Sequence, residues 1–244
     1  MNQTTQVLTN YTSTIVEAFC QRDQIEDDAL IRPHQDDAGC VRLLEAIEAQ
    51  APEAGMPYWR TRAWGLLLWQ PLYIAVFSVY QVKAIPNTLR QLVQRQQGNF
   101  TLGYQLPNNT IWQTYPTTHA AIEALSLQLD ALFEHYAQSL EQHTFARRPL
   151  LNALLADQIL TTLERFAPTL APDQPSQWLY QEGKRWCDAI GVSLPKNAEW
   201  VLQDDSPYQR KSCCLVFRCK TGVECANCPR LAKAKAHKKG LNCR

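Results

Sequence analysis

Apolar residues recur three and four positions apart over several stretches of the chain, the spacing that lines one face of an α-helix. The clearest such stretch begins at Thr117/Thr118, a capping pair after Pro116, and reaches about His143. Its apolar positions are Ile122, Leu125, Leu129, Leu132, Tyr136 and Leu140. A second helix has Pro149 in its first turn, where a missing N–H does no harm, and carries Leu151, Leu154, Leu155, Ile159 and Leu163. A third covers about Gln174–Ile190 and stops near Gly191. Earlier in the chain, Thr12–Arg22 and Gly39–Gln50 read as amphipathic helices, separated by the acidic stretch Asp23–Asp37, and Asn87–Gln97 reads as a more polar helix. The pattern changes once. From Gly98 to Pro107 apolar and polar residues alternate, with Phe100, Leu102, Tyr104 and Leu106 on one side, and a Pro107-Asn108-Asn109 turn follows; that is a strand signal. The predicted class is mainly α (α+β), a helical body with a short β-hairpin element.

Ala63 to Val82 is a run of twenty residues without a charge, long enough to span a bilayer. Gln70, Pro71, Ser78 and Gln81 lie inside it, and Trp64, Trp69, Tyr73 and Tyr80 are spread along it, not gathered at its ends. This distribution predicts a buried core helix broken near Pro71, leaving at most peripheral membrane association.

Charge divides the chain where periodicity does not. Hydrophobic residues make up 45% and charged ones 19%, a globular composition, and the net charge is only +1. Yet residues 207–244 hold ten Lys/Arg against the single acid Glu224, whereas residues 1–206 hold 14 basic and 22 acidic side chains. A basic tail of this kind is suited to a negative partner. The turn-like Gln203-Asp204-Asp205-Ser206-Pro207 marks the shift, so the expected organisation is a helical body over 1–205 and a basic, cysteine-rich module over 206–244. The N-terminal residues show neither a basic n-region nor an apolar h-region. On that reading the protein is cytoplasmic, and its nine cysteines sit in a reducing compartment where clustered thiols point to metal or redox work.

Six of the nine cysteines lie in the tail. Cys225 and Cys228 are two residues apart, a spacing that brings two thiolates to one metal. The adjacent pair Cys213 and Cys214 is separated from Cys225 by ten residues and supplies two more ligands when the chain folds back. Leu215–Arg218 reads as a strand and Lys220-Thr221-Gly222 as the returning turn. Because neighbours on a regular strand point to opposite faces, using both Cys213 and Cys214 requires a kink. Spacing alone leaves three readings open: a [2Fe–2S] cluster on Cys213, Cys214, Cys225 and Cys228; a zinc ion on Cys214, Cys219, Cys225 and Cys228; and a metal-free dithiol. Cys20, Cys40 and Cys187 are scattered and read as small buried hydrophobes. His34, His119, His135 and His143 belong to no ligand motif.

Two basic residues before Ser212-Cys213-Cys214, the aromatic Phe217 three positions after the second cysteine, and Cys225-x-x-Cys228-Pro229 after a ten-residue spacer resemble the FhuF-like ferric siderophore reductase family. The resemblance covers about twenty residues, Arg210 to Arg230. It implies that Cys213, Cys214, Cys225 and Cys228 ligate a [2Fe–2S] cluster and that Fe(III)–siderophores are reduced in the cytoplasm. The chain departs from the family in carrying Cys219 inside the spacer and Cys243 beyond the motif, and in lacking a glycine-rich spacer. Cys219 therefore stands as a substitute ligand for Cys213 or Cys214.

Arg210, Lys211, Arg218 and Arg230 surround the motif, and positive charge beside thiolates favours a reduced, more negative cluster. The chain has no Gly-x-Gly-x-x-Gly and no P-loop. Electrons are therefore expected from an external donor such as a ferredoxin or a flavoprotein reductase. The ferric siderophore is the expected small-molecule partner, sought in an aromatic cleft between body and cysteines among Trp59, Trp64, Trp69 and Trp112. Two rival classes remain: a zinc-ribbon protein binding nucleic acid through Lys233, Lys235, Lys238 and Lys239, and an iron-handling scaffold. The cluster reading expects no nucleic acid.

Overall fold

The computed structural model describes residues 30–33, 37–199 and 208–231. The expected Thr12–Arg22 helix, the boundary at 203–207, the four tail lysines, His34, Cys20 and Cys243 lie outside the described residues. The architecture is mainly helical with two small antiparallel sheets. Helix α1 (Ala38–Gln50) is followed by α2 (Met56–Phe77), α3 (Thr118–Thr144), α4 (Arg148–Glu164), a single turn α5 (Ala167–Leu170) and α6 (Pro175–Ile190). Strands β1 (Leu30–Ile31), β3 (Val93–Gln97) and β4 (Phe100–Gln105) form one sheet in the order β1-β3-β4; β2 (Ile85–Pro86) pairs with β5 (Trp112–Gln113).

Local signals explain most of the helix ends. The Thr117 hydroxyl accepts from the Ala120 N–H at 3.1 Å and caps α3. Gly191, in the left-handed region at φ 76°, terminates α6. The apolar stripe of α3 and that of α4 face α2, which is largely buried from Thr61 onward and packs against α1, α3 and α4. At the centre, Trp64 stands edge-on to Phe133, and its indole N–H donates to the Leu151 carbonyl at 2.9 Å. Gly39 permits the close approach of α1 to β1, since a Cβ there would stand 2.8 Å from the Ile31 Cα.

Helix α2 corrects the expectation of a break near Pro71. It runs through the proline and ends in a π-helical turn over Ser78–Val82, at Lys83 in the left-handed region. A proline within a helix leaves the carbonyl four residues earlier without its donor. Here that carbonyl, on Leu67, accepts instead from the Gln94 side chain at 2.9 Å, and Thr101 donates to the neighbouring Leu66 carbonyl at 2.7 Å. The sheet thus supplies donors that the helix lacks. Among the described residues, Met56–Val82 is the only helix long and apolar enough to cross a membrane, and it is largely buried in the fold.

The same contacts explain the second correction. Asn87–Gln97 is not a helix but a 3₁₀ turn (Leu89–Gln91) followed by β3. Gln94 is fully buried; it accepts from Gln70 at 3.0 Å while reaching the Leu67 carbonyl and the Tyr136 hydroxyl. An inward glutamine in a polar segment carries no strand periodicity. The hairpin β3–β4 turns at Gly98, φ 58°. The expected single face does not hold along β4: Phe100 and Leu102 lie outward while Thr101 and Gly103 between them are buried, and beyond Gly103, at φ 91°, Tyr104 and Leu106 are the buried positions.

Gln94→Ala is expected to destabilise the protein by about 1–3 kcal/mol, because the Leu67 carbonyl is left buried and unpaired. Pro71→Ala restores the helical donor, so its benefit should be larger in the Gln94→Ala background than in the wild type. A double-mutant cycle by urea denaturation measures that coupling; strict additivity would contradict this account of the proline.

Candidate metal centre

The cysteine segment is seated on α4 by one carboxylate. Asp157 lies on the apolar face of that helix, fully buried, and accepts hydrogen bonds from the Tyr208 hydroxyl, from the Lys211 N–H at 2.8 Å and from the Ser212 N–H. Tyr208 is itself buried in the core, and its N–H donates to Glu164. Three donors converging on one acceptor satisfy a charge that would otherwise be costly to bury. They also fix the backbone one residue before Cys213. Burial and the adjacent Asp157 charge both push the Tyr208 phenol upward, so it stays protonated as a donor.

The two halves of the motif are laced together from this anchor. The Arg210 N–H donates to the Asn227 carbonyl at 3.1 Å, the Gln209 side chain donates to the Cys228 carbonyl at 2.6 Å, and Asn197 donates to the Gln209 carbonyl. At the far end the Lys220 N–H reaches Glu53 at 2.8 Å. Between the halves the chain does not form the expected strand. Leu215 adopts a left-handed conformation at φ 60°, and Val216–Arg218 form a 3₁₀ turn. A strand would send Cys213 and Cys214 to opposite faces, whereas the reversal at Leu215 supplies the kink that lets both serve one site. Gly222 is required for the return, because a Cβ there would stand 2.0 Å from the Val216 carbonyl oxygen.

The four cysteines of the motif come together as two pairs, each drawing one residue from each half. The Cys214 and Cys225 sulfurs are 3.2 Å apart, and the Cys213 thiol interacts with that of Cys228. The pairs also feel one another's charge, Cys213 that of Cys214 and Cys225 that of Cys228. Cys228 is buried; the other three are half-buried. Cys219 does not join them. Its thiol lies beside the Tyr58 phenol, and burial, then this neighbour, push that phenol up to about 12. Among the described residues no three His, Cys, Asp or Glu close on a single point as one bound ion would require.

Charge at the site is governed by the sulfur pairs and one arginine. The hydrogen bond from Cys225 lowers the Cys214 thiol to about 6, with the Val216 N–H and the Arg210 guanidinium adding to the shift against the cost of burial. The same shared proton raises Cys225. Burial, with the neighbouring Cys214 and Cys228, raises Cys213. Of the basic residues expected near the motif, Arg210 acts on the sulfurs directly. Lys211 contributes its backbone to the Asp157 anchor. Arg230 stacks over the Phe217 ring at 3.7 Å and pairs with Glu224 at 3.2 Å, and Arg218 is exposed at the end of the 3₁₀ turn. Cys40 and Cys187 are buried away from the motif, and burial pushes the Cys187 thiol up to about 12.

An all-thiolate set without a carboxylate or imidazole suits thiophilic centres, zinc or iron–sulfur. The residue types at Cys213, Cys214, Cys225 and Cys228 suit a four-thiolate group, and their sulfurs meet as two pairs, not around one point. Beside them, a cleft of about 390 Å³ opens between α2, β4, α4 and the cysteine segment, with Cys214 in its wall and Trp64, Trp69, Phe100, Arg62 and Arg210 around it. Two of the expected aromatic residues, Trp64 and Trp69, thus line it; Trp59, whose indole donates to the Ala51 carbonyl, and Trp112 on β5 do not. Asp157 and Arg62 were not singled out by motif. The signal for Asp157 was an acid in register with Leu154 on an apolar helix face. No family model matches the chain, and no solved structure matches it.

Proposed function

We propose that the chain holds a [2Fe–2S] cluster on Cys213, Cys214, Cys225 and Cys228 and reduces Fe(III) carried by siderophores, releasing Fe(II) in the cytoplasm. The observation that carries this reading is the meeting of the four thiols in two pairs, Cys214 with Cys225 and Cys213 with Cys228, each joining the two halves of the motif. A two-iron cluster takes two thiolates per iron, whereas one zinc ion gathers four around a single point. The zinc set suggested by spacing would also need Cys219, and its thiol lies beside Tyr58.

When bound, such a cluster supplies single electrons, and one electron turns Fe(III), held tightly by hard oxygen donors, into Fe(II), held weakly by the same donors. The chain's own residues set the conditions. Burial of Cys228 keeps water from that sulfur. Arg210 holds positive charge beside Cys214 and Cys225, favouring the more negative state of whatever they ligate. Asp157 fixes the backbone that leads into Cys213. Electrons come from an external one-electron donor, a ferredoxin or a flavoprotein reductase.

The test is stopped-flow oxidation of the dithionite-reduced protein by Fe(III) chelates, with an Fe(II)-trapping chromophore present. Reoxidation should be faster than in buffer alone and should deliver one trapped Fe(II) per cluster. For an anionic chelate the rate should fall as salt is raised, because the Debye length shrinks from about 10 Å at 0.1 M to about 3 Å at 1 M. Reoxidation no faster with any Fe(III) chelate than with buffer would end the reductase reading.

A further inference from the structure

The cleft beside Cys214 has an unusual charge balance. Two guanidinium groups, Arg62 and Arg210, line it, and no aspartate or glutamate does. Other arginines of the body do find carboxylates: Arg148 pairs with Glu134 and Glu141, and Arg185 with Glu182. Among the described residues neither Arg62 nor Arg210 has a carboxylate partner. The Arg210 Nε is buried without any hydrogen-bond acceptor, a state that leaves a strong donor unsatisfied.

The rest of the cleft is mostly apolar, with Thr61, Gln158 and Cys214 as its other polar side chains. Phe100 is 43% exposed although it lies on a strand, and Arg62 stacks on its ring at 4.5 Å. Trp69 is oriented by its indole N–H, which donates to Thr101 at 2.7 Å. Leu102 lines the same cleft. A concave, largely apolar site with a few convergent polar groups is the usual form of a small-molecule site, and about 390 Å³ is near the lower end of the size range.

We propose that this cleft binds a compact, carboxylate-bearing Fe(III) chelate with net negative charge, its carboxylate oxygens on Arg62 and Arg210 and its apolar frame against Trp69 and Phe100. A guanidinium presents paired donors that match a carboxylate. A neutral chelate would leave both arginines unpaired in a partly desolvated site. Cys214 stands in the wall, so the chelate lies against one of the four sulfurs. The identity of the metal rests on the reductase reading; the preference for an anionic carboxylate chelate rests on the cleft alone.

Gallium(III) citrate, which has the charge and size of the ferric complex but is not reduced, separates the two. Titrated into the protein as purified and followed by tryptophan fluorescence and calorimetry, it should bind saturably. Arg62→Gln and Arg210→Gln should each weaken it by about tenfold or more, while Arg90→Gln, an exposed arginine outside the cleft, should leave it unchanged. A neutral gallium(III) tris-hydroxamate should bind more weakly, with no dependence on either arginine. Cluster absorbance and circular dichroism identify any variant that has lost its fold; if Arg210→Gln does so, Arg62→Gln carries the test. No saturable binding of gallium citrate, or binding that ignores Arg62, overturns the proposal. Arginine-dependent gallium binding without any reduction of ferric citrate upholds the site and rejects the reductase.

Discussion

Replacing Cys225 or Cys228 with serine should lower iron and acid-labile sulfide together by about tenfold or more, since loss of a ligand exceeds the loss seen on removing an outer-shell partner. Cys213→Ser and Cys214→Ser should do the same, because each sulfur pair takes one member from each half of the motif. Cys219→Ser should retain full iron. Its thiol faces Tyr58, and the serine hydroxyl can form a hydrogen bond there. The variants also discriminate between metals. A zinc site built on Cys214, Cys219, Cys225 and Cys228 would lose metal on Cys219→Ser and keep it on Cys213→Ser. Metal, iron and sulfide analysis of anaerobically purified protein gives the answer, and full iron in a Cys225 or Cys228 variant would sink the ligand assignment.

Asp157→Ala should be the most damaging substitution outside the cysteines. It strands the Tyr208 hydroxyl in the interior and leaves the part-buried Lys211 and Ser212 amides without their acceptor. Each buried unpaired donor costs about 1–3 kcal/mol, so a total of at least about 3 kcal/mol is expected. In a chain of this size that is a fall of about 6–12 °C in the melting temperature. Asp157→Asn keeps the shape but turns one acceptor into a donor facing backbone N–H groups, so it should not rescue. Cluster loss should accompany the destabilisation, because the anchored amides directly precede Cys213. Thermal denaturation read by circular dichroism and by visible absorbance tests both effects. A variant that melts like the wild type with its absorbance intact would show that the segment is held by other contacts.

The sequence made the helices legible where one physical signal dominated. α3, α4 and α6 announce themselves through apolar spacing, a threonine cap, a first-turn proline and a terminal glycine, and the mainly α class follows from them. Misreadings fell where a residue answers to a distant partner. Pro71 breaks an isolated helix, but not one whose Leu67 carbonyl is supplied by Gln94. Gln94, in turn, looks like a surface glutamine until its three buried partners are in place. In the candidate site the four cysteines were legible because their spacing is rare, and the need for a kink followed from strand geometry. That the kink is a left-handed Leu215 followed by a 3₁₀ turn was not legible, since leucine carries no preference for that conformation. Nor could spacing show that Cys219 turns toward Tyr58, a residue more than 150 positions away in sequence.

The central claim, a one-electron cluster on four cysteines, is tested most directly by low-temperature electron paramagnetic resonance of the anaerobically purified protein before and after dithionite. The account predicts a red-brown, silent oxidised protein that gains an S = 1/2 signal on reduction, integrating to about one spin per two irons. A colourless protein with stoichiometric zinc and no signal in either state would contradict it.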